Sequence, residues 1–239
     1  MSAKKIFEQT NKNSFATGLN FYKLFWVFFI GSFVGVIVEI LFCLVTEGRI
    51  ECRQGVVYGP FNPVYGFGAV VITIVLYILR RQRDLVIFIG GSVIGGAFEW
   101  LCSYFQEMFM GTVSWDYSDI PFNIGGRTCL LYSLFWGILA IVWLKFIYPL
   151  MSALIERIPN KIGRLLTWVL VLFIAFDMFI SSAAVVRMGE RQKDIAPKTS
   201  FDRFLDNNLD DEFLTKIYPN MRNPESGERL VDKQENKAK

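Results

Sequence analysis

Histidine is absent from this chain of 239 residues. Its absence excludes a Ser-His-Asp triad, a histidine-ligated metal and a histidine proton switch. Cysteine is scarce, with four in all. Cys43 and Cys102 fall inside apolar runs and read as small buried side chains. Cys52 and Cys129 both fall on the expected outer side, and a disulfide between them stays open, because spacing alone does not set connectivity. No G-x-x-x-x-G-K-[ST] segment occurs, so any ATPase must be a separate polypeptide. Charged residues make up only 20% of the chain and the net charge is +3, which gives no reason to expect a nucleic-acid partner. A cleavable signal is not expected either. The first apolar run begins near Phe21, is too long for a signal core and lacks a small-residue cleavage site after it. No nucleophile or metal constellation stands out, so no catalytic residue, cofactor or metal is assigned.

What the chain has in abundance is apolar sequence: 53% hydrophobic and 16% aromatic residues. Apolar runs of roughly 20 residues recur, long enough at about 1.5 Å per residue to cross a hydrocarbon core of about 30 Å. Five are read, at about 21–46, 62–80, 85–109, 128–148 and 165–187. The expected fold is an all-α integral membrane protein whose partner is the lipid bilayer. Lys4, Lys5, Lys12 and Lys23 precede or open the first run. Arg80, Arg81 and Arg83 fill the second loop, and Arg157, Lys161 and Arg164 the fourth. The first and third loops carry only Arg49, Arg53 and Arg127. This asymmetry places the N-terminus in the cytoplasm and, with five spans, the C-terminus outside. Arg191, Lys193 and Lys198, just past the last run, argue the other way.

The division expected is a cytoplasmic segment 1–20, membrane units 21–84 and 85–148, a cytoplasmic loop plus fifth span 149–188, and a polar tail 189–239. The two membrane units resemble each other. At a constant shift of sixty, Gly31, Ser32, Gly35, Glu39, Leu41 and Glu47 meet Gly91, Ser92, Gly95, Glu99, Leu101 and Glu107. The tripeptide Pro60-Phe61-Asn62 returns as Pro121-Phe122-Asn123, one register later. Each unit is span, outer loop, span, so the expected arrangement is a tandem parallel repeat, with the fifth span outside it.

Residues four apart share a helix face. Gly31, Gly35 and Glu39 form one stripe; Gly91, Gly95 and Glu99 form another. Small residues at that spacing let helices approach closely in lipid, so both glutamates are expected at helix contacts. An acid at mid-span costs about 2.5–3.5 kcal/mol on insertion scales, which makes an intramembrane carboxylate either paired glue or a binding group. Candidate substrate- or ion-binding residues are Glu39 and Glu99, with Tyr58, Asn62, Asp116, Asn123 and Arg127 from the outer loops. Asp177, in the fifth run, is a third buried acid. The loops are rich in Gly, Pro, Asn and aromatics, which suits either interfacial anchoring or re-entrant backbone. In the tail, Phe201, Phe204, Leu205 and Leu209, then Phe213, Leu214 and Ile217, have helical spacing. The stretch from Asn223 reads as disordered.

The segments "GPFNPVYGFGA", "WDYSDIPFNIGGR" and "YPNM", with the Glu39-to-Arg49 spacing, are similar to a bacterial family, the putative ABC-transporter type IV permeases. The resemblance covers about 20–222 and implies a multi-pass inner membrane protein that takes part in transport with a separate ATPase subunit. It implies no substrate or site residue. Of the cytoplasmic segments, only 149–163 is long enough to dock on an ATPase. An intramembrane enzyme acting on lipid, with Asp116, Asp119 and Arg127 joining the glutamates, and a non-catalytic scaffold that docks through its tail are the alternatives. A homo-oligomer stays open.

Overall fold

A computed structural model describes residues 13–79, 82–224, 227 and 229. The lysines at 4, 5 and 12, the arginines at 80 and 81 and most of the stretch expected to be disordered lie outside these residues. The chain is mostly helical. Helix α1 spans Phe21–Glu47, α2 Pro63–Leu79, α3 Asp84–Met110, α4 Leu130–Val142, α5 Tyr148–Glu156 and α6 Asn160–Arg191. Two short helices follow, α7 (Ser200–Asn208) and α8 (Asp211–Ile217). The only sheet among the described residues is the hairpin of β1 (Asn123–Ile124) and β2 (Thr128–Cys129).

Four helical segments are long and apolar enough to cross a membrane: Phe21–Thr46, Asp84–Met110, Leu130–Glu156 and Asn160–Arg191. The expected second span, α2, is a shorter apolar helix of 17 residues. Many large apolar side chains point outward, as a lipid-facing surface requires; Val38, Leu41, Leu172 and Phe176 are all more than half exposed. The ends of the helices are set by local chemistry. The Asn20 side chain accepts from the Lys23 N–H at the start of α1, and Gly48 and Gly111 close α1 and α3 in the left-handed conformation that glycine adopts freely.

Two helix pairs form the frame. Helix α1 packs on α2 and α3 packs on α4, each through glycine. A Cβ added at Gly31 would come within 2.8 Å of the Ala69 Cβ, and one at Gly91 within 2.5 Å of the Ala140 Cβ. One turn on, Gly35 lies under the Tyr65 ring and Gly95 under the Trp136 indole. Neither glycine can be enlarged without separating its helix pair.

The span expected to end at 148 continues to Glu156. Pro149, just past the expected end, removes a helix donor. The chain absorbs the loss in a π-turn over Trp143–Ile147, which leads into α5. The expected cytoplasmic loop therefore shrinks to the turn Arg157–Pro159 before α6. Most of 149–163 is bundle helix, with Met151, Ser152, Ile155 and Glu156 buried.

Polar ties fasten the two ends. At one end, buried Lys23 donates to Glu156 Oε1 at 2.6 Å and to Ser152 Oγ at 2.5 Å, and the Phe15 N–H donates to Asn160 Oδ1 at 2.7 Å. Higher up, Trp26 Nε1 donates to Thr167 Oγ1 at 2.9 Å and Trp143 Nε1 to Thr73 Oγ1 at 3.0 Å. At the other end the tail turns back on the bundle. Arg187 donates to both carboxylate oxygens of Asp206, at 2.9 and 3.0 Å, and Arg191 reaches Asp206 and Asp211. Leu205, Leu209, Leu214, Tyr218 and Met221 are buried with Val57, Ile180, Val185 and Met188 in a second core. Asn220 Nδ2 donates to Ser114 O at 3.0 Å and Arg222 bridges to Val113. The tail thus lies on the face that carries loops 48–62 and 111–129, opposite the N-terminal segment.

The glycine contacts set a stability expectation. Gly91→Val is expected to cost about 1–3 kcal/mol through overpacking and to lower the thermal midpoint of the detergent-solubilised protein. Gly189→Ala, where nothing lies within 4 Å of the added carbon, is expected to raise it slightly. The buried ion pair sets a second. Lys23→Met leaves the Glu156 carboxylate buried without its ammonium and is expected to cost about 3–5 kcal/mol; adding Glu156→Leu recovers most of it in the same melting assay. The tail clamp sets a third. Asp206 is held below the ordinary carboxylate value, first by the Arg187 hydrogen bond and then by Arg191. A depressed carboxylate stabilises above its unfolded pKa of 3.8 and loses that effect as pH falls further. Asp206→Asn is therefore expected to expose Arg203 and Lys216 to trypsin at neutral pH, where the parent tail resists.

Candidate functional site

A cavity of about 650 Å³ opens where the two helix pairs meet α6 and the tail. Its size falls in the usual range for small-molecule sites, about 300–1,000 Å³. Glu39 and Glu99, one from each pair, both line it, although they are sixty residues apart in sequence.

Glycine places each carboxylate. Gly35 lets the Tyr65 ring lie against α1, which brings its hydroxyl to the side of Glu39, one turn on. Arg53, from the loop after α1, lies 3.9 Å from Glu39, 3.0 Å from Glu51 and 3.1 Å from Cys43 Sγ. Asn62 donates to Arg53 O at 3.2 Å and accepts the Val64 N–H, so it both holds that loop and starts α2. On the other pair, Gly96 makes room for Ser133 and for Thr128, whose hydroxyl donates to Glu99 Oε2 at 2.9 Å. Tyr117 donates to Glu99 Oε1 at 3.0 Å. Burial, and then the neighbouring Glu99 carboxylate, hold the Tyr117 phenol far above the ordinary tyrosine value, so it stays a donor. Among the described residues no lysine or arginine nitrogen lies within 4 Å of Glu99.

The other sequence candidates lie outside this lining. The buried Asp177 accepts the Tyr58 N–H at 3.0 Å and the Ser181 hydroxyl at 3.2 Å, which pins the 55–58 loop to α6. Tyr58 contributes its backbone there, and its ring is exposed. Asp116 accepts from Ser118 Oγ and N–H in a surface turn, and these bonds hold its carboxyl below the usual range. Asn123 bridges Ser118 O, Ile120 O and the Gly126 N–H inside the hairpin. Arg127 pairs with Glu107, donates to Ser103 Oγ at 3.2 Å and lies 5.8 and 5.7 Å from the Trp100 and Tyr104 ring centres. All four cysteines are free thiols, so Cys52 and Cys129 form no disulfide. Among the described residues no group of three acidic or cysteine side chains is placed to hold a metal.

Sequence reasoning missed Tyr65, Tyr117, Thr128 and Trp136. One signal for two of them was present. At a shift of 71, Tyr65-Gly66 and Ala69 meet Trp136-Gly137 and Ala140, the residues that face the glycines of α1 and α3.

Chemically, the cavity offers two carboxylates and aromatic walls to one bound group. Comparisons with curated proteins and with solved structures gave no match. A comparison with protein-family models matched residues 26–182, a segment that contains most of α1, all of α2 to α5, most of α6, both glutamates and the loops that hold them. On that match, which covers about two thirds of the chain, the protein belongs to the putative ABC-transporter type IV family.

Proposed function

We propose that the chain is the membrane-spanning part of a transport system and that its substrate rests between Glu39 and Glu99. The observation that carries this reading is their shared cavity, closed by four helices, α6 and the tail. Intramembrane carboxylates facing a cavity, away from lipid, mark substrate or ion paths. In this reading the bundle crosses the membrane five times, with α2 as the short second span. The N-terminus is cytoplasmic, and the loops and tail are outside. The pairs α1–α2 and α3–α4 are tandem parallel copies that place one glutamate each about a common axis. The equivalence of Tyr65-Gly66-Ala69 with Trp136-Gly137-Ala140 supports that repeat more directly than the "PFN" loops, which precede their helices by different lengths. Energy comes from a separate ATPase. It docks on the cytoplasmic end, where the turn Arg157–Pro159 and the exposed Leu150 and Leu154 of α5 lie.

The scaffold reading finds less support, because Leu205, Leu209 and Leu214 of the tail are already buried against the bundle. The lipid-enzyme reading lacks a placed nucleophile, and Asp116 and Arg127 are committed to loop contacts.

Purification from the native membrane in mild detergent, followed by mass spectrometry, is expected to recover an ATPase subunit at fixed ratio. The complex is then reconstituted in vesicles and supplied with ATP and a small-molecule cell extract. Glu39→Gln and Glu99→Gln are expected to keep the subunit ratio and lower accumulation of the transported compound at least about tenfold, the loss of one close charge contact. Normal accumulation by both variants, or a purified chain without an ATPase, overturns this function.

A further inference from the structure

The charges of the cavity do not balance. Arg53 is the only basic residue in its described lining, and Glu39 and Glu51 both engage it. Glu99 receives two hydroxyl donors and no cation. An anionic head group would therefore meet one arginine already engaged by two carboxylates, and in the same lining a glutamate with no cationic partner among the described residues. That balance of charge opposes an anion.

The walls are aromatic. Phe98, next to Glu99, meets the Trp136 indole edge to face with ring centres 6.1 Å apart. Tyr117, which donates to Glu99, stacks on Tyr132 at 4.6 Å. Aromatic faces beside a carboxylate attract a cation through ring quadrupole and charge together, and they favour a desolvated, apolar cation over a hydrated metal ion. Tyr218, from the tail, adds a buried aromatic ring to the lining, with its hydroxyl beside Ser181.

We infer that the cavity ligand is a lipophilic cation, an apolar body bearing one delocalised or substituted-ammonium charge, held by Glu99 against Phe98, Trp136 and the Tyr117–Tyr132 stack. This rests on the reading of the cavity as the substrate site and adds the chemical class. Glu39 with Arg53 forms the neutral side of the site, and Glu99 the charged side.

The test uses two ions of nearly one shape and opposite charge. Tetraphenylphosphonium and tetraphenylborate are titrated into the purified full chain in an uncharged detergent, with protein-free micelles as the blank. The phosphonium is expected to bind at least about tenfold more tightly than the borate, and Glu99→Gln to remove about tenfold of that affinity. The comparison between ions on the unmodified protein holds even if the variant folds poorly. Equal binding of both ions, or preference for the borate, overturns the cation class and leaves the cavity as a substrate site. Phosphonium binding that Glu99→Gln does not change also overturns it, since that affinity is partition into micelle or bundle. Binding of neither ion overturns the class and removes the support for the cavity as a site.

Discussion

Hydrocarbon offers no hydrogen-bond partner, so every polar side chain placed at membrane depth must be satisfied by protein. This constraint explains why the glycines and the glutamates of the chain occur together. Gly35 admits the Tyr65 ring, and Tyr65 serves Glu39. Gly96 admits Ser133 of α4, the helix that Thr128 leads into, and Thr128 serves Glu99. Close backbone approach and acid placement go together. Enlarge Gly35 and the Tyr65 ring must shift; remove Glu99 and the Tyr117 and Thr128 hydroxyls lose their acceptor.

The same constraint makes α6 the tie between the two pairs. It packs against both α1 and α3 and carries polar side chains at three depths. Thr167 receives the Trp26 indole N–H near one end. Asp177 and Ser181 accept the Tyr58 and Val57 N–H groups in the middle. Arg187 and Arg191 take the tail at the other end. Loop 55–58 has no regular partner for its backbone, and α6 supplies one in side-chain oxygens. A loop held this way can stay irregular beside a cavity without leaving donors unpaired.

Much of this was legible in the residues. The apolar runs, the two glycine stripes and the inward turn of Glu39 and Glu99 follow from helical period and hydropathy. The continuation of the fourth run to Glu156 was not legible, because the π-turn at Trp143–Ile147 that carries the helix past Pro149 has no sequence signature. The loop residues were the hardest to place. Arg127 and Asn123 are polar, lie in the loop that follows the Glu99 helix and are apt for a site. Yet one neutralises Glu107 and the other builds a hairpin, choices fixed by tertiary geometry. Lys23 shows the converse. Counted by charge asymmetry as a cytoplasmic marker, it is fully buried against Glu156, because α1 passes α5 at that point.

The tail decides how the cavity is reached. Tyr218, Asn220 and Met221 line it from the loop side, and the two-arginine clamp together with the Asn220 and Arg222 contacts holds them there. Entry from the aqueous loop face therefore requires the tail to lift. The lining has another edge, made by Phe42 of α1 and Phe105 and Phe109 of α3, and all three residues are exposed on the apolar surface of the bundle. On the proposed reading, a ligand crossing that edge would pass from hydrocarbon to aromatic ring to carboxylate without crossing the polar loops. A hydrated ion gains nothing from such a path, because it would shed its water before meeting a compensating charge. A lipophilic cation loses little on it, since its charge is already dispersed and its body already prefers the membrane. The roofed loop face and the apolar side entry favour the same class of ligand as the charge imbalance at Glu99.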